Sequence, residues 1–351
     1  MWCRNILKTN TCSKSSVFGY LQCLTNNNYN VITLAHSARL FVTNAQTIGN
    51  IIDQWGGRFE SEGIPKPMDK IKHIVAHVTG TKKINDVLNI KSTSLDTNQI
   101  ERLESLCKCV LSRMPLQYLL GEWPFHDITL KLVPPIFVPW QETEVFVSNV
   151  LKRLSQLTSQ ADSYEMLEIG SGSGCITLAI AHGCKKLKCI AFDANPNACD
   201  LTVINRNKLN LRDRVKIINA TLKPDSTVEV SNNWNDTVDV NLNTKLFDFV
   251  VSNPPYVPRS IHPKLLPEIR LHNDFMAFDG GDDGLKVITP VIRYASKVLK
   301  TGGYLFMEVH NSHPELIESF TKKNPDLKLK FMDTYRDFCV DGYTIELMKV
   351  E

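Results

Sequence analysis

Two rhythms of apolar and polar residues divide the chain. Between residues 46 and about 122 the apolar positions recur every three or four residues. Met68, Ile71, Ile74, Val75 and Val78 make one helical stripe with Gly80 just beyond as a stop, and Ile100, Leu103, Leu106 and Val110 make another. Asp96 and Gln99 stand at capping-box spacing before the second stripe, and Pro115 marks its end. These features predict a small helical domain over 46–122. From Phe125 to Pro139 the pattern shortens into β-prone pieces around Pro134-Pro135, which predicts a β-hairpin in a linker over 123–141. A helix beginning near Glu142, with Val147, Val150, Leu151 and Leu154 on one face, opens a second domain over 142–351.

Beyond Tyr164 short apolar runs alternate with helical patterns, so an α/β fold with a parallel sheet covered on both faces is expected. The strands are placed at 164–169, 187–193, 214–219, 246–251, 303–309, 327–332 and 343–349. The stretch 223–243 is rich in Asn, Asp, Ser and Thr and reads as a solvated surface insert. There are no internal repeats.

Composition changes this picture in three places. First, no acidic residue precedes Asp53, whereas Arg4, Lys8, Lys14 and Arg39 do. An acid-free leader rich in Ser, Thr and Asn reads as a mitochondrial transit peptide over 1–45 that would deliver the protein to the matrix. Second, setting those four residues aside leaves 36 basic against 37 acidic residues, a nearly neutral body that argues against a nucleic-acid groove. Third, the ten cysteines are scattered, Cys107-x-Cys109 has no matching pair, and no metal site is expected. No run approaches the roughly 18 apolar residues of a membrane span, and a monomer is the expected state.

The first strand of the α/β region runs Met166-Leu167-Glu168-Ile169 into Gly170-Ser171-Gly172-Ser173-Gly174. A helix follows with Ile176, Ala179 and Ile180 on one face and Gly183 as its expected C′ residue. Strand, glycine turn and helix make a nucleotide-type cradle, because glycine lets a ligand approach the N–H groups at a helix N-terminus. The spacing is Glu-x-Gly-x-Gly-x-Gly, not the G-x-G-x-x-G of dinucleotide enzymes. Asp193 closes the next strand, about 20 residues on, where a carboxylate accepts the hydroxyls of a ribose; the plainer reading is a cap for the helix starting at Asn195-Pro196. Glu168, Gly170, Gly172, Gly174 and Asp193 are the candidate cofactor residues.

The fourth strand ends in Ser252-Asn253-Pro254-Pro255-Tyr256. At the C-terminal edge of such a sheet a double-proline turn holds its carbonyls rigid. The Asn253 side-chain oxygen and the Pro254 carbonyl would together accept the two hydrogens of one planar –NH2 group, with Tyr256 offering a face for stacking. The plainer reading is a rigid turn beside a core tyrosine.

With these motifs in place the chain resembles the HemK/PrmC-type release factor glutamine methyltransferases, over roughly residues 50–351. The resemblance rests on Pro115-Leu116-Gln117-Tyr118-Leu119-Leu120-Gly121-Glu122 with Phe125, on Glu142-Thr143-Glu144, on Asp279-Gly280-Gly281-Asp282-Asp283-Gly284-Leu285, and on Gly302-Gly303-Tyr304-Leu305-Phe306-Met307-Glu308. It implies a class I S-adenosylmethionine-dependent methyltransferase fold with seven strands and an N-terminal helical domain that docks a class I peptide chain release factor. It further implies that Gly170, Gly172 and Gly174 cradle the methionine moiety and Asp193 the ribose. Asn253, Pro254, Pro255 and Tyr256 would hold the glutamine amide of the Gly-Gly-Gln loop, Phe125 would wall the pocket, and Glu142 and Thr143 would lie near it. Trp140 and Gln141 stand where the family carries Arg-Pro, and Thr221 where many relatives have an acid near the adenine. His310 and His313 replace the usual Gly and Gln and are expected at the surface or behind the site.

The chemistry suits such a turn. An amide nitrogen is a poor nucleophile and a sulfonium methyl a strong electrophile, so alignment and stabilisation of positive charge on nitrogen matter more than a strong base. No catalytic triad or carboxylate pair is expected. The alternatives are an adenine-N6 methyltransferase, which shares Asn253-Pro254-Pro255-Tyr256, and an idle methyltransferase-fold binding protein, which the intact motifs disfavour. A nicotinamide dehydrogenase fits less well because its glycine spacing differs.

Overall fold

The computed structural model describes residues 47–81, 83–157, 161–231, 240–336 and 342–351. The expected leader over 1–45 lies outside them. Among the described residues the chain forms two compact units. One comprises 47–122 with Leu266–His272, and the other Trp123–Leu265 with Asn273–Glu351.

The first unit is helical. Helix α1 (Ile48–Ser61) starts at Thr47, whose hydroxyl accepts the Asn50 N–H, and buries Ile48, Ile51, Ile52, Trp55 and Phe59. Helix α2 (Pro67–Thr79) buries Ile71, Ile74, Val75 and Val78 and stops at Gly80 in the left-handed conformation. Helix α3 (Thr97–Leu111) opens on a complete capping box. Asp96 accepts the Gln99 N–H at 2.8 Å and Gln99 accepts the Asp96 N–H at 3.0 Å. Its inward stripe is Ile100, Leu103, Cys107 and Val110, and Leu106 sits half-buried at the margin. Pro115 does not end this helix; it precedes the short α4 (Leu116–Leu120). The helix Pro267–His272 also belongs to this unit, with the buried Glu268 carboxylate 3.7 Å from Lys70 Nζ and 3.6 Å from Arg113 Nη1.

The second unit starts with a hairpin of β1 (Glu122–Phe125) and β2 (Ile128–Lys131), then α5 (Gln141–Leu157). Strands and helices then alternate: β3 (Tyr164–Ile169), α6 (Cys175–Gly183), β4 (Leu187–Asp193), α7 (Pro196–Lys208), β5 (Val215–Leu222), β6 (Val228–Val230), β7 (Phe247–Ser252), α8 (Ile288–Val298), β8 (Leu299–His310), α9 (Pro314–Lys323), β9 (Leu329–Arg336) and β10 (Gly342–Lys349). The sheet order is β6-β5-β4-β3-β7-β8-β10-β9. Strands β5, β4, β3, β7 and β8 are parallel, and β10 runs antiparallel between β8 and β9. Without β6 this is the seven-stranded class I methyltransferase sheet. The chain winds outward from β3 in one direction and from β7 in the other, so the switch point falls between them. Both strands are buried along nearly their whole length, as central strands covered on two faces should be.

Three expectations need correction. The stretch 223–243 is not wholly a solvated insert. Val228–Val230 pairs antiparallel with β5, and the Asn243 side chain bonds both the N–H and the carbonyl of Val228 at 2.8 Å. Gly183 is no C′ residue: it is the last helical position of α6, and a Cβ there would stand 2.9 Å from Leu151, so the glycine permits close helix packing. Strand β8 starts at Leu299, ahead of the expected 303, so Gly302 lies inside it with Gly303, where the pairing with β7 shifts register. Gly302 takes a positive φ, and a Cβ on Gly303 would meet the Asp248 carbonyl at 2.8 Å.

Since the Asp96 box satisfies two otherwise unpaired backbone donors, Asp96→Ala should destabilise the helical unit by about 1 kcal/mol. A fall in urea midpoint at constant slope reports this, and an unchanged midpoint would show that the box adds nothing.

Candidate active site

The site forms where β3 and β7 end side by side. Ile169 is in register with Ser252, and the buried Ser252 hydroxyl donates to the Ile169 carbonyl at 2.8 Å. The glycine turn after β3 and the Asn-Pro-Pro-Tyr turn after β7 therefore leave the sheet as neighbours.

In the glycine turn Gly170, Gly172 and Gly174 all have positive φ, which excludes most side chains. Their local settings differ. A Cβ on Gly174 would stand 2.7 Å from Thr202 and 2.9 Å from Leu178, so this glycine serves packing. A Cβ on Gly170 or Gly172 would point into open space, so these two leave backbone free for a ligand. Asp193 ties the turn to the next strand end: Oδ2 accepts the Gly172 N–H and Oδ1 the Asn195 N–H, each at 2.8 Å. Asn195 itself caps α7, so that plainer role does not fall to Asp193. Beneath the turn Glu168 is wholly buried. Oε2 accepts the Thr177 N–H at 3.3 Å, and Oε1 has no partner. Burial pushes its pKa up to about 8 against the opposing Thr177 hydrogen bonds, and the Asp193 charge adds to the rise.

In the second turn Asn253 is half-buried and donates from Nδ2 to Thr143 Oγ1 at 3.3 Å. The buried Tyr256 hydroxyl donates to Glu308 Oε1 at 3.0 Å. Glu308 is only 1% exposed, and burial pushes its pKa up to about 7, with the Thr143, Tyr256 and Asn253 side chains opposing the rise and the Glu142 charge adding to it. The Asp279–Gly284 loop packs against the Tyr256 backbone. A Cβ on Gly280 would stand 2.6 Å from the Tyr256 carbonyl carbon, and one on Gly284 2.5 Å from the Tyr256 carbonyl oxygen. Asp279 locks that loop, meeting Arg259 at 3.3 Å and Lys286 at 3.2 Å; although burial opposes it, these partners hold its pKa below the ordinary carboxylate value.

The turn opens into a small cleft lined by Phe137, Trp140, Asn253, Pro254, Tyr256 and Phe278, with Glu308 also on its wall. Phe137 and Trp140 pack with ring centroids 5.3 Å apart. Tyr256 and Glu142 thus accompany Asn253 and Pro254, with Pro255 half-buried beside them. Thr143 is buried and reaches the site through the Asn253 amide. Phe125 does not wall the cavity: its strand position turns it inward, 1% exposed, and Phe137, Trp140 and Phe278 supply the aromatic wall. Of the two places expected for His313, the structure shows the second, behind the site. It is fully buried, its ring 6.5 Å from that of Tyr256, while His310 is half-buried. Glu308, a site residue not expected as one, had its signal in the sequence: a lone acid within the apolar run Tyr304–Val309.

The family model and the sequence relatives agree on one family. Residues 50–121 match the PrmC N-terminal domain. The chain is 27% identical over 248 residues to a release factor glutamine methyltransferase of Thermodesulfovibrio yellowstonii, covering 71% of this chain and 81% of that one. It is 30% identical to a protein of the same name from Gloeobacter violaceus, over 68% of this chain and 77% of that one. It is 38% identical over 293 residues to human MTRF1L release factor glutamine methyltransferase, covering 82% of this chain and 83% of that one. On this match the chain belongs to the release factor glutamine methyltransferase family.

Proposed function

We propose that this chain transfers a methyl group from S-adenosylmethionine to the side-chain amide nitrogen of the glutamine in the Gly-Gly-Gln loop of a class I peptide chain release factor. The observation that carries the reading is the pairing of Ile169 with Ser252, which sets the Asn253 amide, its nitrogen 3.3 Å from Thr143 Oγ1 and its oxygen on the other side, at the sheet edge where the glycine turn also begins.

The residues fit the cofactor. Gly170 and Gly172 leave open space beside bare backbone, the buried Glu168 carboxyl has an unpartnered oxygen, and Asp193 is only half-buried, with lone pairs to spare for ribose hydroxyls. When bound, that cofactor supplies an electrophilic sulfonium methyl. The chain's own residues do the rest. Asn253 Oδ1 and the Pro254 carbonyl take the two hydrogens of the target –NH2, aim its nitrogen and stabilise the positive charge it gains. The aromatic wall excludes water, which strengthens those interactions.

The nearly neutral body favours a protein substrate over nucleic acid. We assign docking of the release factor to the helical unit, mitochondrial import to the acid-free leader, and a monomeric state to the enzyme.

Glu168→Gln should change stability in a defined pH window. A carboxyl raised from 4.5 to about 8 on folding contributes stability that is intact below pH 4.5 and lost as pH rises through 8. The variant should therefore melt higher than wild type at pH 8–9, with the gap closing towards pH 4. A constant gap across that range would deny Glu168 its raised pKa.

Asp193→Ala should weaken S-adenosylmethionine binding by about 2 kcal/mol in calorimetry on folded protein. Unchanged affinity would remove Asp193 from the site.

Asn253→Ala should lose roughly 10²–10³-fold in turnover on the release factor while cofactor affinity stays near normal. A release factor with Gln→Glu in Gly-Gly-Gln should be inert. Methylation by Asn253→Ala at the wild-type rate would overturn the proposed role of this turn.

A further inference from the structure

An asparagine amide is ambiguous: one end accepts, the other donates, and a rotation of the terminal group exchanges them. Only one orientation serves an –NH2 target, because the reverse would set two donors against each other. Thr143 does not resolve the ambiguity alone. Its hydroxyl stands 3.3 Å from Asn253 Nδ2, yet a hydroxyl donates or accepts with equal ease and would satisfy either end.

Glu308 breaks the tie. Its carboxyl is 1% exposed, Oε1 takes the Tyr256 hydroxyl at 3.0 Å, and the Thr143 and Asn253 side chains interact with the same group. Oε2 is sealed from solvent without a fully formed hydrogen bond, which leaves it an acceptor seeking a donor. Above pH 7 this carboxyl is ionised, and an ionised carboxylate only accepts. The Thr143 hydrogen then turns to Glu308, the Thr143 oxygen can only accept, and the end of Asn253 facing it must be the nitrogen.

We infer that Glu308 is a positioning residue that sets the direction of a hydrogen-bond chain, Asn253 to Thr143 to carboxylate, and thereby holds the Asn253 oxygen towards the target nitrogen. The Tyr256 hydroxyl, donating to the other carboxylate oxygen, anchors the acceptor and fixes the ring that lines the cavity. Thr143 and Glu308 touch neither the target nor the cofactor in this scheme; they act through Asn253. The inference rests on the reading of Asn253 given under Proposed function.

The test compares Glu308→Gln, Thr143→Val and Thr143→Ser in the full chain at pH 8, with a release factor and S-adenosylmethionine. Glutamine keeps the shape of Glu308 and removes a buried charge, so a merely structural role predicts an unchanged or raised melting temperature and unchanged turnover. A directing role predicts that kcat falls roughly 10- to 100-fold, as expected for a misaligned acceptor. KM for the release factor and the cofactor Kd should stay within about twofold of wild type in that case. Thr143→Val should show the same split, and Thr143→Ser, which restores the hydroxyl, should recover most of kcat. If Glu308→Gln does not fold, the two Thr143 variants decide. Wild-type kcat in Glu308→Gln or Thr143→Val, with an active wild-type enzyme, overturns this inference and leaves the Asn253 reading intact. A wild-type enzyme inactive on the release factor overturns both.

Discussion

The parallel pairing of β3 with β7 is the constraint on which the rest of the site depends. Ile169 opposite Ser252, held by the buried Ser252 hydroxyl on the Ile169 carbonyl, aligns the last residues of two strands that lie far apart in sequence. Everything chemical follows within a few residues of that pair. Gly170 and Gly172 leave β3 as bare backbone, Asn253 and Pro254 follow β7 in the double-proline turn, and Asp193 bonds back to Gly172 from β4. A one-residue slip would exchange the faces of β7 and separate the turns, so the apolar burial along both strands specifies the site as much as the fold.

Around that pair the fold holds its carboxyls in opposite electrostatic states, and partner count decides which. Asp279 is buried yet kept ionised, because Arg259, Lys286 and the Gly281 N–H more than offset its desolvation. Glu168 is buried with one backbone donor on one oxygen, and desolvation wins. Glu308 receives the Tyr256 hydroxyl but no cation, and burial pushes its pKa up to about 7. The first arrangement fastens a loop against Tyr256. The other two place buried carboxyls, each with an unpartnered oxygen, beside the two turns, where new hydrogen-bond donors or positive charge would be received favourably.

Much of this was legible in the sequence because backbone rules are local. Strand and helix periodicity located β3, β4 and β7 within a residue, the Asp96–Gln99 spacing gave its capping box, and two sharp turns announced themselves through Gly and Pro. What escaped depends on contacts distant in sequence. Gly183 is small because Leu151 lies against it, and Gly302-Gly303 lie within a bulged strand because β7 passes alongside. Phe125 and Phe137 are equivalent aromatics in the sequence, but Phe125 is buried at the end of β1 whereas Phe137, in the irregular stretch after β2, lines the cavity. Glu308 looked like a motif remnant until the sheet brought it to Tyr256.

The central claim is that this turn presents two acceptors to a planar –NH2 group on a release factor. The most direct measurement offers methyl-labelled S-adenosylmethionine to the purified chain with a release factor and an adenine-containing nucleic acid in one reaction, and maps the label by mass spectrometry. Label is expected on the side-chain nitrogen of the Gly-Gly-Gln glutamine and none on the nucleic acid. Label on adenine, or on a release-factor residue other than that glutamine, would contradict it.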